Sequence, residues 1–423
     1  MTSQPKHDKK SVIAWSFYDF GSSAYHSLIL TFVFSTFFTQ KIAPDEITGS
    51  VLWARGITIS ALVVALLSPI LGAFADAGGL RKRILFILTS LACIGTASLY
   101  GVLPGQATKG IIIFVTTNIL VELTSVFYNA FLPDISSNDR IGRISGYGWA
   151  FGYVGGLIAI LLAMLGFVQP EAPWFGLAKE TSQHIRATTL LTGIWFFLFS
   201  LPLFIWVKEK KSASKRSILA AGKFALTQLR TTFQEIRSYR EIIKLLVARL
   251  FYNDGLITIF SFGGIYAAGT FGFDFEEILK FGIWLNITAG LGAFAFGFLD
   301  DKIGGKKTIQ ITNIGLIVAT LIAVFANSKA LFWLAGTIVG ILSGPSQAAS
   351  RSLLGRFIPE KKKTEFFGFF SFSGKATAFL GPLMFGILTQ TFHSQRAGIS
   401  VVVFLFLIGS LVLNSVDEKK GCL

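Results

Sequence analysis

The feature that most constrains this chain is a series of long apolar runs that recurs from one end to the other. Each run is near the length of about 20 residues that a helix needs to cross a bilayer. None shows sustained strand-type alternation. Because backbone groups in hydrocarbon must be satisfied within a helix or a closed barrel, unbroken runs of this length predict helices. The runs cover approximately residues 12–38, 52–75, 84–103, 110–131, 147–168, 188–207, 245–269, 278–299, 309–326, 330–349, 366–388 and 397–414.

Composition excludes the soluble alternatives. Apolar types make up 52% of the chain and charged types 14%, whereas an ordinary soluble domain has about 25% charged residues. So many apolar side chains cannot all be buried in a water-soluble globule. This argues against a cytosolic enzyme, a disordered chain and a disulfide scaffold. We therefore predict an all-α integral membrane protein with twelve transmembrane helices.

The positive net charge of +15 has a membrane explanation. In a soluble protein this charge would suggest nucleic acid, but here the basic residues concentrate in the loops on one side of the predicted membrane. That distribution places both termini in the cytoplasm and predicts no nucleic-acid partner. With this orientation, the loops on the opposite side hold few basic residues: Lys41, Lys109, Lys179, Arg186, Lys280, Lys329 and Arg396.

The longest loop, predicted at residues 208–243, separates a six-helix half at residues 1–207 from a second half at 244–423. The loop is strongly basic. Apolar residues recur in it at helical spacing, which predicts an amphipathic helix on the inner membrane surface. A plain solvated linker is the alternative. The apolar residues concerned are Leu226, Leu229, Phe233 and Ile236.

Two loops, after the second and eighth runs, repeat one pattern. Glycines at a helix crossing permit close approach, and an Asp at a helix end can accept hydrogen bonds from the N-terminus of a neighbouring helix. We therefore predict two conformational latches and two pseudo-symmetric halves. A tight turn with basic residues would explain one copy, but not both. The predicted latch residues are Gly72, Asp76, Gly79, Arg81 and Lys82, repeated as Gly297, Asp301, Gly304 and Lys306.

The loop from Gly72 to Arg83 resembles the signature loop of the major facilitator superfamily, and the second copy is similar to its degenerate counterpart. Other segments resemble the bacterial branch that groups with the fungal vacuolar amino-acid effluxers of autophagy. Gly21-Ser22 departs from the Ala-Asn expected in that branch. The segments that carry the resemblance are Trp15–Tyr25, Phe127–Asp134, Ser145–Trp149, Tyr252–Gly255, Gln347–Ser352, Glu365–Gly368 and Ser373–Pro382.

This resemblance implies twelve helices, solute transport and a location in the bacterial inner membrane, and it slightly favours export. It indicates the class of protein better than the cargo. In the superfamily, the first and fourth helices of each half line a central cavity. Polar residues recur at helical spacing in the corresponding runs here.

Ionisable groups at mid-membrane are costly and therefore indicate function. The candidate residues of a substrate or proton pathway are Tyr18, Asp19, Glu122, Asn129, Tyr252, Asn253, Asp254, Gln347, Arg351 and Lys375.

Several of these charged candidates have both a functional and a structural interpretation. Glu122 or Asp254 could exchange protons, or could be a structural carboxylate paired with a base. Lys375 or Arg351 could hold a substrate carboxylate. Alternatively, Lys375 could neutralise an acid and Arg351 could act as a gate. With Asp19 or Asp254 holding an amine, opposite charges on the two halves would suit a zwitterion such as an amino acid.

We therefore predict a secondary active transporter of a small polar solute, an amino acid or related metabolite, that works by alternating access with protons as a candidate coupling ion. Efflux of amphipathic drugs or transport of a metal chelate is the alternative, and a non-transporting receptor is a minor one. The sequence lacks a phosphate loop, metal-ligand spacing and a nucleophile elbow. We predict no enzyme activity, no cofactor and no bound metal. One chain contains both halves, so a monomer suffices.

Overall fold

The computed structural model describes residues 8–209, 227–232 and 234–421, and these are almost entirely helical. The helices of the first half are α1 Lys9–Ala24, α2 Glu46–Gly78, α3 Arg81–Ser98, α4 Ala107–Asn129, α5 Ile141–Ala163 and α6 Gln183–Trp206. Those of the second half are α7 Arg240–Phe271, α8 Phe275–Ile303, α9 Gly305–Phe325, α10 Lys329–Phe357, α11 Lys363–Lys375, α12 Leu380–Phe392 and α13 Gln395–Asn414. Helices α11 and α12 form a single broken span.

Caps and turns in the sequence set the ends of these helices. Asp45 accepts a hydrogen bond from the Thr48 backbone N–H at the start of α2, as N-cap residues do. Gly79 ends α2 at φ 61°, and Gly304 follows α8 at φ 91°. Only glycine adopts such conformations readily, which explains the glycine at both repeated turns.

The first span continues beyond α1 in wider helical turns at Tyr25–Phe32 and Phe38–Ile42, which flank the short helix Phe34–Phe37. Within them, the backbone N–H of Val33 donates to the Leu28 carbonyl at 3.2 Å. Such i→i+5 turns are rare in helices and occur often at functional sites. The sequence pattern does not predict them.

Eight helices in the described part of the chain are long and apolar enough to cross a membrane by length and hydropathy alone. The spans outside that group are the first, seventh, tenth and eleventh. They carry the polar residues Asp19, Asp254, Arg351 and Lys375. The first and eleventh spans are interrupted, so their α-helices Lys9–Ala24 and Lys363–Lys375 are only 16 and 13 residues long. Two further candidates, Glu122 and Asn129, lie on α4 within the group of eight. The architecture agrees with the predicted twelve-span, all-α protein.

The two halves meet mainly through α2 against α11 and α5 against α8. Glycines permit these contacts. A Cβ on Gly72 would lie 2.3 Å from the Thr364 carbonyl oxygen, and one on Gly146 would lie 2.4 Å from that of Ala293. These contacts lie toward the face where the first helix begins and the last ends, which we call the terminal side. The opposite face is the distal side.

Part of the loop between the halves is described. Residues 227–232 are helical, Leu229 packs against Ala73 and Phe369, and the Gln228 amide donates to Glu365 at 2.5 Å. Leu226 and Phe233 lie outside the described residues, as does the Ile236 side chain. The described turns contact the protein along the α2–α11 seam. The surface-helix interpretation and the limits 208–243 stay predictions.

Candidate functional site

The described hydrogen bonds between the halves extend from the terminal side to mid-depth, where the Lys375–Glu122 pair is the most distal. The side chains of Asp134 and Asp301, on the terminal side, are only 3% and 2% exposed. At mid-depth, Lys375 is 29% exposed and Asp19 is 21% exposed. The terminal side is therefore closed, and the polar residues at mid-depth are reached from the distal side.

Asp76 joins the first repeated loop to the opposite half. Its carboxylate accepts hydrogen bonds from the Thr364 hydroxyl at 2.7 Å and from the Glu365 backbone N–H at 2.9 Å. Both donors lie in the first turn of α11, where the positive end of the helix dipole favours a carboxylate.

The second repeated loop makes the equivalent contact in the opposite direction. Asp301 accepts from the Gly142 backbone N–H at 2.9 Å and from the Arg143 backbone N–H at 3.3 Å, and it also pairs with the Arg143 guanidinium. Gly297 lies where a Cβ would be 2.9 Å from the Arg143 Cα. Each half thus supplies one Asp to a helix N-terminus of the other half. The latching role of this arrangement stays a prediction.

The basic residues of the repeats have two kinds of partner. Arg81 pairs with Asp134, which also binds Lys363 of the other half at 2.6 Å. By contrast, Lys82 and Lys306 donate to backbone carbonyls, those of Val207 at 2.5 Å and Val416 at 2.7 Å. Backbone carbonyl groups at the end of a helix have no hydrogen-bond donor within the helix. They can therefore accept hydrogen bonds from a lysine in place of a carboxylate.

Glu209 lies beside the same basic residues, just beyond α6, and accepts a hydrogen bond from the Lys82 backbone N–H at 3.2 Å. Burial raises the pKa of its carboxyl group above the usual range, and the nearby Arg81 guanidinium opposes that rise.

Besides the charged pairs on the terminal side, two charged pairs join the halves at mid-depth, and Arg351 of α10 forms the one nearer the terminal side. Its guanidinium lies 3.3 Å from an Asp19 oxygen and 3.0 Å from the Asn129 side-chain oxygen, and it donates to the Ser145 carbonyl at 2.7 Å. The Trp15 ring covers it at 4.7 Å. The structure therefore brings three predicted pathway residues together: Asp19, Asn129 and Arg351.

Glu122 and Lys375 form the second pair, at 2.8 Å. Glu122 and Asn129 are seven residues apart on α4, which corresponds to two helical turns or roughly 10 Å along the axis. The second pair is therefore distal to the first. Both pairs have the acid in the first half and the base in the second.

A third polar cluster lies within the second half. The Gln347 amide donates to the Asn253 side-chain oxygen at 2.8 Å, and Asn253 donates to the Gly374 carbonyl at 3.2 Å. Arg249 completes the cluster and donates to the Phe370 carbonyl at 2.8 Å. Arg249 is not among the candidate residues predicted from the sequence, although it lies within the seventh apolar run. An arginine five residues before Asp254, on the same helix, was the signal available.

Three predicted pathway residues are buried away from the distal opening in this conformation. Tyr18 is hydrogen-bonded to Thr89 at 2.7 Å, and Tyr252 to Ser350 at 2.8 Å. Asp254 is 1% exposed and accepts a hydrogen bond from the Gly381 backbone N–H at 2.9 Å. Helical spacing places these residues on the polar stripes. In this conformation, however, their polar groups form hydrogen bonds with neighbouring helices and do not face the pathway.

Comparison with known proteins bears on the class of protein. Residues 42–142 and 137–423 match the family model described as "Vacuole effluxer Atg22 like". The chain belongs to the Atg22-like family. The MFS-type transporter YxiO of Bacillus subtilis is 26% identical over 98% of this Atg22-like chain and 97% of its own length. Autophagy-related protein 22 of Kluyveromyces lactis is 24% identical over 93% and 80% of the two chains.

Solved structures support the same conclusion at the level of fold. The proton:xylose symporter XylE superposes with a TM-score of 0.73 at 14% identity, covering 97% of this chain and 96% of its own. The transporter FucP, in its outward conformation, gives 0.74 at 13% identity, covering 97% and 99%. The predicted major facilitator fold is confirmed. The Atg22-like chain is thus a multi-pass membrane transporter and not an enzyme.

The contact between α1 and α5 provides a test of the Arg351 site in the Atg22-like chain. A Cβ on Gly148 would lie 2.8 Å from both the Arg351 guanidinium and the Asp19 carboxylate, whereas one on Gly263 would meet nothing within 4 Å. We expect Gly148→Ala to lower the free energy of unfolding by about 1–3 kcal/mol, as overpacking does. Gly263→Ala should leave it unchanged or raise it. Thermal unfolding of the purified protein measures both. Equal melting temperatures for the two variants would contradict the tight packing of this site.

Proposed function

We propose that this protein is a secondary active transporter of a small zwitterionic solute, an amino acid or a related metabolite, and that it works by alternating access. One observation carries the proposal: the acids Asp19 and Glu122 lie on the first half, and their basic partners Arg351 and Lys375 lie on the second. A solute with one ammonium and one carboxylate group matches this division of charge.

Competition with the ion pairs explains how such a solute would bind. The side chains of Glu122 and Lys375 are 15% and 29% exposed, so a solute entering from the distal side can reach both. Its ammonium group would replace Lys375 beside Glu122, and its carboxylate would replace Glu122 beside Lys375. Each charge of the pair then has a new partner. The ion pair can therefore separate without the free-energy cost of an unpaired buried charge.

Alternating access requires the terminal side to open and the distal side to close. Both charged pairs and both Asp contacts cross between the halves, so they separate in that transition. Protonation of Glu122 would release Lys375 without leaving an unpaired carboxylate, and we propose protons as the coupling ion. The terminal side is proposed to face the cytoplasm of a bacterial cell, in agreement with the loop charges. The effluxer description of the family favours export.

Counterflow in proteoliposomes tests the proposal. Vesicles are loaded with an unlabelled neutral amino acid, its N-acetyl derivative or its amide, and uptake of the labelled amino acid is followed at equal pH on both sides. We expect accumulation with the zwitterion and at least a tenfold lower rate with either singly charged derivative. Equal rates for all three, or transport confined to amphipathic dyes or metal chelates, would overturn the proposal.

A further inference from the structure

The eleventh span is broken at mid-depth. α11 ends at Lys375 and α12 begins at Leu380, and residues 376–379 form a turn. Pro382 favours an interruption of the helix at this point. It has no N–H to donate to the Ala378 carbonyl four residues earlier, and its ring is tolerated only in the first turn of a helix. A break of this kind leaves unpaired backbone groups at both helix ends.

Helix α7 supplies partners to the C-terminal end of α11. Asn253 donates to the Gly374 carbonyl at 3.2 Å. Arg249 donates to the Phe370 carbonyl at 2.8 Å and the Ser373 hydroxyl at 3.1 Å, with its guanidinium 3.7 Å from the centre of the Phe370 ring. Arg249 is only 6% exposed. A buried cation thus lies against the last turn of α11.

The same helix supplies a partner to the N-terminal end of α12. Asp254, 1% exposed, accepts from the Gly381 backbone N–H at 2.9 Å. A Cβ on Gly381 would lie 1.9 Å from the Thr258 hydroxyl oxygen, so only glycine lets α12 begin this close to α7. A buried carboxylate thus lies against the first turn of α12.

These two charges have no side-chain counterion. Within residues 8–209, 227–232 and 234–421, no carboxylate pairs with Arg249 and no basic side chain pairs with Asp254. Their signs match the helix dipoles instead, since a cation is favoured at a helix C-terminus and an anion at an N-terminus. The opposite assignment would place each charge against a dipole end of its own sign. The break in the span and the charges on α7 therefore belong to one arrangement.

Lys375 is the last residue of α11, directly after Gly374 in this arrangement. We propose that Arg249 and Asp254 are positioning residues, which hold the break in the eleventh span so that Lys375 reaches the solute pathway and its partner Glu122. This rests on the proposed function for the meaning of the pathway. The position of Lys375 itself can be measured without any solute.

The test uses a reporter thiol at position 375. The native cysteines are replaced in C93A/C422S, K375C is added, and the reaction of detergent-solubilised protein with a cationic methanethiosulfonate is timed. We expect R249Q and D254N each to slow the reaction at least fivefold, because α11 in the first variant and α12 in the second loses the charge at its end and the break between them shifts. R249K, which keeps the cation, should react within twofold of the parent. K244Q is the matched control, because Lys244 lies on α7 but pairs with Glu241 at the terminal side.

Reaction at the parental rate in both R249Q and D254N, with folded protein shown by a monodisperse elution profile, would overturn the proposal. If R249Q does not fold, D254N, which keeps the side-chain volume, decides the question alone. If R249Q and D254N slow the thiol reaction but the wild-type protein shows no amino-acid counterflow, the proposed solute is refuted and the positioning role stands. If the wild-type protein shows amino-acid counterflow but the thiol rates are unchanged in both variants, the positioning role is refuted and the proposed solute stands.

Discussion

The double variant D76A/D301A is expected to invert the resting conformation, from closed to open on the terminal side. Each carboxylate accepts charge-assisted hydrogen bonds from a helix N-terminus of the opposite half. Such bonds contribute about 1.5–3 kcal/mol each. The double variant removes at least two such bonds at each loop. The loss of only one at each loop already costs the closed state roughly 3–6 kcal/mol, enough to shift a two-state population by about 10² to 10⁴.

Distances between spin labels measure this inversion. One pair of labels, at Arg83 and Lys302, reports on the terminal side, and a second, at Ile47 and Lys280, reports on the distal side. All four positions are exposed. In D76A/D301A the terminal distance should lengthen and the distal distance should shorten.

D45A is the matched control, because Asp45 also caps a helix N-terminus but within its own half. Wild-type distances in the double variant would show that the two Asp contacts do not hold the terminal side closed.

Charge reversal at the Glu122–Lys375 pair is expected to have the largest effect on transport. E122K places two ammonium groups, and K375E two carboxylates, where the structure has one ion pair at 2.8 Å. Like charges at this spacing in a low-dielectric site repel strongly, and neither variant offers a zwitterion both of its partners. Initial rates of counterflow should fall at least a hundredfold in each.

The exchanged double variant E122K/K375E restores one acid and one base and should recover at least tenfold over either single variant. The control is the exchange E277K/K329E at the distal rim, where the pair is substantially exposed and such pairs contribute about 0–1 kcal/mol. Its transport should remain within twofold of wild type. Single variants that transport at the wild-type rate would exclude this pair from the pathway.

Much of the fold is predictable because the bilayer imposes it. The apolar runs give the number of spans, and the repeated Gly and Asp positions at the ends of α2 and α8 give the pseudo-symmetry. The pairing of Asp19 with Arg351 is only partly predictable, because a polar stripe shows which face of a helix is polar and not which helix it meets. For the same reason the polar stripes place Tyr18 and Tyr252 among the predicted pathway residues but do not reveal that their hydroxyl groups bond to neighbouring helices in this conformation.

The broken span shows a different limit of sequence interpretation. Residues 366–388 read as one apolar run, and Pro382 alone does not reveal whether a helix bends or stops. Whether the helix stops depends on α7, because Arg249 and Asp254 of that helix form hydrogen bonds with the two helix ends at the break. A residue whose role depends on a neighbouring helix is invisible in the pattern of its own helix.

The glycines at the seam between the halves have a mechanical consequence. At Gly72, Gly146 and Gly368 the neighbouring atoms are backbone carbonyl oxygens, so main chain rests on main chain with no side chain between. Side-chain rotamer changes cannot adjust the distance between two such main-chain surfaces gradually. Packed interfaces of this kind are bistable. We therefore expect the two halves to move as rigid bodies that stop where main chain meets main chain, and the proposed cycle to have a defined closed end point in place of a continuum of partly closed forms.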